Sequence, residues 1–166
     1  MDGKRWSYRN GEVYRVTVGK NWDILEIEPN SSSLLNEAWL LKEEIHQKEN
    51  LLKQKWGFFA QMYHNAEKMW CIDSKTRDRV GFVAVQEDGY IFFIAVDMSR
   101  RGEGVGTHLI DSLGGKYDHI SCHVRTTNIV ALDFYGKIGF KKEELVRRYY
   151  EDRGDAFYLV YFPELE

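Results

Sequence analysis

Proline and cysteine are scarce in this chain, with two of each among 166 residues. Pro29 and Pro163 are too few for a proline-rich linker. Cys71 and Cys122 stand far apart, which excludes a disulfide framework and reads as reduced thiols in a cytoplasmic setting. No sign of charge dominates: 23 basic and 26 acidic residues leave a net charge of −3. Bulk charge therefore draws the chain neither to nucleic acid nor to an acidic membrane surface. Long apolar runs are absent, so no bilayer span is expected, and Met1-Asp2-Gly3-Lys4-Arg5-Trp6 lacks the apolar stretch of a signal peptide. What is present is a composition 43% hydrophobic and 14% aromatic, suited to one globular domain with its own core.

The pattern of residues predicts a mixed fold. Asn10-Gly11 between β-prone runs predicts a tight hairpin. A strand is expected over residues 23–27, ended by Pro29, with Ser31-Ser32-Ser33 placed to cap the next helix. Leu34, Ala38, Leu41 and Ile45 recur at helical spacing, so helix is expected over 34–55 with a break near Asn50. Residues 57–65 fit either a short helix or a strand. Runs 68–73, 79–86 and 90–96 read as an antiparallel meander. Val105, Leu109, Ile110 and Leu113 line one side of a helix stopped by Gly114-Gly115. A strand at 120–124 follows, then a helix carrying Ala131, Phe134, Tyr135 and Ile138 and closed by Gly139. Runs 141–150 and 156–162 form a last pair. Strand-helix-strand-helix-strand order requires a parallel crossover, so the sheet is expected to be mixed.

Two segments carry chemistry. In Ser99-Arg100-Arg101-Gly102-Glu103-Gly104-Val105-Gly106-Thr107, a glycine-rich turn runs from a strand into a helix. The first amides of a helix lack intrahelical partners, and the helix dipole leaves partial positive charge there. Glycines let an anion approach the backbone, and Arg100 and Arg101 add charge. A tight turn that merely packs closely would use the same glycines. No Gly-Lys-Ser/Thr follows, so this is not a nucleotide P-loop, and no initial βαβ unit surrounds it.

Arg101-x-x-Gly104-x-Gly106 resembles the coenzyme A pyrophosphate signature of the GNAT superfamily of N-acetyltransferases. Asn128-x-x-Ala131-x-x-Phe134-Tyr135-x-Lys137-x-Gly139-Phe140 is similar to that superfamily's second signature. Within the superfamily, His123-Val124-Arg125-Thr126-Thr127-Asn128 and Arg148-Tyr149-Tyr150-Glu151-Asp152-Arg153-Gly154-Asp155-Ala156 resemble the protein N-terminal (Nα) acetyltransferases. That branch includes the ribosomal-protein alanine acetyltransferases. The resemblance implies a GNAT fold: a mixed, mostly antiparallel sheet with a splayed parallel pair at its centre and helices on both faces. The chain would be one such domain over residues 1–166, with 1–20 as an additional N-terminal hairpin.

The resemblance also implies acetyl-CoA as co-substrate, with no metal. Backbone groups of Ile94, Ala95 and Val96 would meet the pantetheine and the acetyl carbonyl, and Asn128 would hold the cofactor arm. Arg101, Gly102, Glu103, Gly104, Val105, Gly106 and Thr107 would hold the pyrophosphate, and Tyr135 would face the sulfur. Tyr149 and Tyr150 would contact a peptide. The partner would be a protein or peptide N-terminus, a ribosomal protein among the candidates, with the enzyme a monomer or homodimer.

Acetyl transfer needs a neutral amine, a polarised thioester and a proton for the departing thiolate. His123, with an ordinary pKa of about 6.5, suits a base. Tyr135, near 10, suits an acid toward a thiolate. An α-amine near pKa 8 is partly neutral at pH 7, whereas lysine near 10.4 is not, so a modest base favours an N-terminus. A strand amide near Val96 is expected to stabilise the oxyanion. Other readings stay open: His123 as an ordinary strand residue, Tyr135 as a core aromatic, Tyr149 and Tyr150 as simple strand aromatics. A small-molecule amine or lysine acetyltransferase of the same fold, or a non-catalytic CoA-binding module, are the alternatives. His119-x-x-Cys122-His123 has metal-ligand spacing, but on a strand the two histidines lie about 13 Å apart with Cys122 on the other face.

Overall fold

The computed structural model describes residues 4–9 and 12–163. The chain forms two compact units, Met1–Glu87 with Phe92–Ser112, and Asp88–Ile91 with Leu113–Glu166.

The first unit is built on a meander. Strands β1 (Lys4–Arg9), β2 (Glu12–Thr17), β3 (Trp22–Ile27), β4 (Glu67–Asp73), β5 (Arg79–Val85) and β6 (Ile91–Val96) lie side by side in chain order. The β1–β2 ladder, Lys4↔Thr17 to Arg9↔Glu12, is antiparallel as a hairpin requires. The Asn10-Gly11 turn lies outside the described residues. Helices α1 (Leu35–Glu49) and α2 (Trp56–Asn65) stand between β3 and β4, and α3 (Val105–Leu113) follows β6.

Residues 56–65 are helical because Phe59 and Tyr63, one turn apart, both enter the core. There Phe59 meets Phe93 at 4.6 Å between ring centroids, and Trp70 meets Phe82 at 5.0 Å. The polar tips are satisfied: Trp70 Nε1 donates to the Tyr63 hydroxyl at 3.0 Å, and that hydroxyl donates to the Ser33 carbonyl at 2.6 Å. The serines do not cap α1, whose N-cap is Leu34 at φ 63°. Ser33 Oγ pairs with the Tyr14 hydroxyl at 2.6 Å and Ser32 Oγ with His64 Nδ1 at 2.9 Å, so these side chains tie the loop to distant elements instead. The break comes at Asn50, whose left-handed φ of 56° ends α1.

The second unit holds a three-stranded sheet. Strands β7 (Ile120–Arg125) and β8 (Lys141–Val146) both run antiparallel to β9 (Ala156–Tyr161), in the order β7-β9-β8. β7 and β8 are therefore parallel to each other, and α4 (Ile129–Ile138) makes the crossover. Tyr90 bridges Ser121 in parallel, with the Ser121 N–H donating to the Gly89 carbonyl at 3.1 Å. Gly89 is required there, since its φ is +89° and a Cβ would stand 2.2 Å from the His119 carbonyl oxygen. β8 stops at Val146, earlier than expected, because Arg148 turns to φ 52° and its N–H donates to Asp155 Oδ1 at 2.9 Å. Among the described residues, the mixed α/β arrangement of strands and four α-helices agrees with the expected fold class.

Candidate active site

In the first unit, β6 alternates buried and half-buried residues, so Phe93 and Ala95 face the core while Ile94 and Val96 face away. β6 is the last strand of its sheet, so the sheet uses only one of its two edges. Asp97 then caps a short 3-10 turn, Met98–Arg100, accepting from the Ser99 N–H at 2.9 Å and hydroxyl at 2.8 Å. Gly102 and Gly104 follow at φ +82° and +89°, and a Cβ on either would meet nothing within 4 Å. Open space over left-handed backbone is what an approaching anion needs. The Gly104 carbonyl accepts from the His108 N–H at 3.0 Å. α3 thus starts at Val105, and Val105, Gly106 and Thr107 supply its first amides. Arg101 Nη1 sits 2.6 Å from Glu49 Oε1 at the end of α1, and Glu103 lies 3.6 Å from Arg100. This loop fits a diphosphate: bare amides, a helix N-terminus and a guanidinium beside it.

In the second unit, His123 stands half-buried on β7 within a ring of phenols. Tyr90 Oη lies 2.7 Å from its Nδ1 and 3.2 Å from the Tyr149 hydroxyl. The Tyr149 and Tyr158 rings pack on the imidazole at 4.0 and 5.0 Å. Burial pulls the His123 pKa below its ordinary value, with the Glu144 charge opposing.

Tyr135 is buried on α4, with Phe134 and Phe140 at 5.0 and 4.9 Å. Its hydroxyl bonds the Cys122 thiol, and burial holds the phenol well above its ordinary pKa. Burial likewise pushes Cys122 up to about 12. Asn128 is the N-cap of α4, its Oδ1 accepting from the Ala131 N–H at 3.1 Å. Tyr149 and Tyr150 lie beyond β8, so strand alternation does not govern them. Their rings are 4.9 Å apart and take different partners: Tyr149 turns to His123, while the Arg125 guanidinium sits 3.9 Å from the Tyr150 ring.

The second unit thus brings His123 together with Tyr149, and sets Tyr135 against Cys122. The loop from Arg101 to Thr107 belongs to the first unit. Sequence reasoning missed Tyr90. The signal was available, because a parallel pairing of 90–96 with 120–124 sets Tyr90 beside Ser121, and His123 projects from the same face as Ser121. Among the described residues, no three His, Cys, Asp or Glu side chains gather as a metal site. Among them, too, no helix is long and apolar enough to cross a membrane.

The profile of the acetyltransferase (GNAT) domain family matches residues 41–153. An uncharacterized N-acetyltransferase of Methanocaldococcus jannaschii is 33% identical over 113 residues, covering 63% of this chain and 70% of that protein. N-alpha-acetyltransferase 30 of Xenopus laevis is 36% identical over 76 residues, covering 43% of this chain and 28% of that protein. The chain therefore spans less than a third of the frog relative. The ribosomal-protein-S18-alanine N-acetyltransferase of Escherichia coli shares the fold, with TM-score 0.65 at 21% identity over 84% of this chain and 92% of that one. NAA60 of Arabidopsis thaliana, solved in complex with acetyl-CoA, gives TM-score 0.63 at 19% identity over 84% of this chain and 99% of that one.

Proposed function

This chain belongs to the GNAT acetyltransferase domain family, and on that premise we propose that it transfers acetyl from acetyl-CoA to the α-amino group of protein or peptide N-termini. We read its two units as halves of one catalytic domain, since the family profile runs through both. The observation that carries the reading is the Tyr90–His123 pair at 2.7 Å, joined by Tyr149.

Acetyl-CoA supplies an acetyl thioester. The amides of Val105, Gly106 and Thr107, with Arg101, hold its diphosphate. The open edge of Ile94–Val96 offers backbone groups to the pantetheine and the carbonyl oxygen. Asn128 spends its Oδ1 on the helix cap, so its amide nitrogen is the group it turns to the cofactor arm. His123 acts as the base. With Nδ1–H donating to Tyr90 Oη, and the Tyr90 hydroxyl donating to Tyr149, the Nε2 lone pair is left to take the amine proton, directly or through a water. The Tyr135 phenol keeps its proton at any physiological pH, as a donor to a departing thiolate must.

An α-amine suits this apparatus. It is partly neutral at pH 7, so a histidine of lowered pKa suffices, whereas lysine would need a stronger base. The similarity of His123-Val124-Arg125 and Tyr149-Tyr150 to the Nα branch, and the functions for which the frog and E. coli proteins are named, support the same substrate class. Incubation with acetyl-CoA and a panel of N-terminal peptides tests it by mass spectrometry. Acetylation at the α-nitrogen is expected. Turnover confined to polyamines, antibiotics or lysine side chains would overturn it.

A further inference from the structure

The turn that leads into the diphosphate loop is held by one side chain that the sequence presents only as added charge. Arg100 is 19% exposed, and its guanidinium is shared among three carboxylates: Asp73 Oδ2 at 2.8 Å, Asp78 Oδ2 at 3.2 Å and Glu103 Oε1 at 3.6 Å. Its Nη2 also reaches Thr76 Oγ1 at 3.5 Å. Asp73 is itself fixed, accepting from the Lys75 and Thr76 N–H groups at 2.8 and 3.2 Å, and Arg100 with these amides holds its pKa at about 2. The Arg100 N–H donates to the Asp97 carbonyl at 2.9 Å, and the Asp97 N–H to the Val80 carbonyl at 2.8 Å. The β4–β5 turn and the start of the loop are thereby locked together through one guanidinium.

Glu103 makes this lock matter for binding. It stands between Gly102 and Gly104, two residues with left-handed backbone and open space where a Cβ would stand. A free carboxylate there would repel a diphosphate. Arg100 is the cation beside it, with its Nη1 donating to Asp73 and its Nη2 to Asp78. We propose that Arg100 is a positioning residue for the diphosphate loop: it fixes the turn entering the loop and holds the Glu103 carboxylate away from the anion without touching the anion itself. Arg101, paired with Glu49 through Nη1 at 2.6 Å, is the guanidinium assigned to the phosphates. This role rests on the acetyl-CoA reading above.

The test compares two donors. Acetyl-CoA carries the diphosphate and S-acetylpantetheine lacks it. In Arg100→Ala, affinity for CoA by calorimetry, and KM for acetyl-CoA, should worsen about tenfold or more, the scale of one charge-assisted contact. The KM for S-acetylpantetheine should not change. Adding Glu103→Gln to Arg100→Ala should recover part of the CoA affinity, because the repelling carboxylate is gone. Asp73→Asn, which loosens Arg100 without removing it, should weaken CoA in the same direction by less, and it serves if the alanine variant fails to fold. Equal losses with both donors, or no recovery from Glu103→Gln, would overturn the role. Wild-type protein that binds no CoA would overturn the donor assignment itself. Wild-type binding that Arg100→Ala and Asp73→Asn leave undiminished would overturn the Arg100 role alone.

Discussion

Removing one oxygen, in Tyr90→Phe, discriminates between the two ways the Tyr90–His123 bond can be polarised. The bond is 2.7 Å long and half-buried. A hydrogen bond of this kind contributes about 1 kcal/mol net, and an abandoned partner in a desolvated place costs somewhat more, so kcat should fall about five- to fifteen-fold. The pH dependence then reads the polarity. If Nδ1–H donates to Tyr90, the phenol oxygen supports the imidazolium more than the neutral ring. Its loss lowers the His123 pKa further, and the acid limb of kcat moves to lower pH. If instead the Tyr90 hydroxyl donates to Nδ1, its loss removes support from the neutral ring and the limb moves up. The proposed mechanism requires the first result, because only that tautomer leaves Nε2 unprotonated. In the wild type, burial already sets the His123 pKa below its ordinary value, so the limb due to this group should lie below about 6.5. Peptide acetylation at saturating substrate, followed from about pH 5 to 9 and read as the protonation state of the bound complex, is the assay. An upward shift would refute the tautomer assignment, and an unchanged kcat and profile would refute the coupling of Tyr90 to the base.

Other perturbations follow from the same geometry. His123→Ala and Tyr135→Phe should each lower turnover by roughly 10²-fold, the usual worth of a general base or acid, while calorimetry finds CoA affinity unchanged. Gly89→Ala should destabilise the fold by more than about 2 kcal/mol in a denaturant titration, since a Cβ at φ +89° would stand 2.2 Å from a backbone oxygen. Asp73 is held at about pKa 2, below its unfolded value. Its pairing with Arg100 should therefore stabilise the protein fully above pH ~4 and cease to do so as pH falls through about 2. Asp73→Asn should flatten that part of a Tm-versus-pH curve.

The features legible in the sequence are those that local chemistry alone decides. Gly102 and Gly104 adopt the positive φ that a turn into a helix demands, and such positions announce themselves because few other residues tolerate them. The meander strands are legible as short β-prone runs between turns, and α3 because its apolar residues recur at helical spacing. Features that stay hidden depend on partners far away in the chain. Ser31-Ser32-Ser33 has the composition of a helix cap, yet Tyr14 and His64 outcompete the helix for its hydroxyls. Tyr149 and Tyr150 look like alternating strand residues, yet the Arg148 turn ends β8 before them. The candidate site divides in the same way. The diphosphate loop is one contiguous run of residues, so its pattern suffices to find it. The base environment is assembled from residues 90, 123, 149 and 158, and only strand pairing brings them together. A single parallel bridge, Tyr90 to Ser121, does this for the phenol that meets His123. Two residues along β7 from that bridge, His123 projects from the same face as Ser121. A one-residue slip in the bridge would turn Tyr90 to the opposite face and leave His123 without the phenol at Nδ1. Gly89 helps fix that register, because the Ser121 N–H bonds its carbonyl while the missing Cβ admits His119. The chemistry of the base thus rests on a glycine that never touches it.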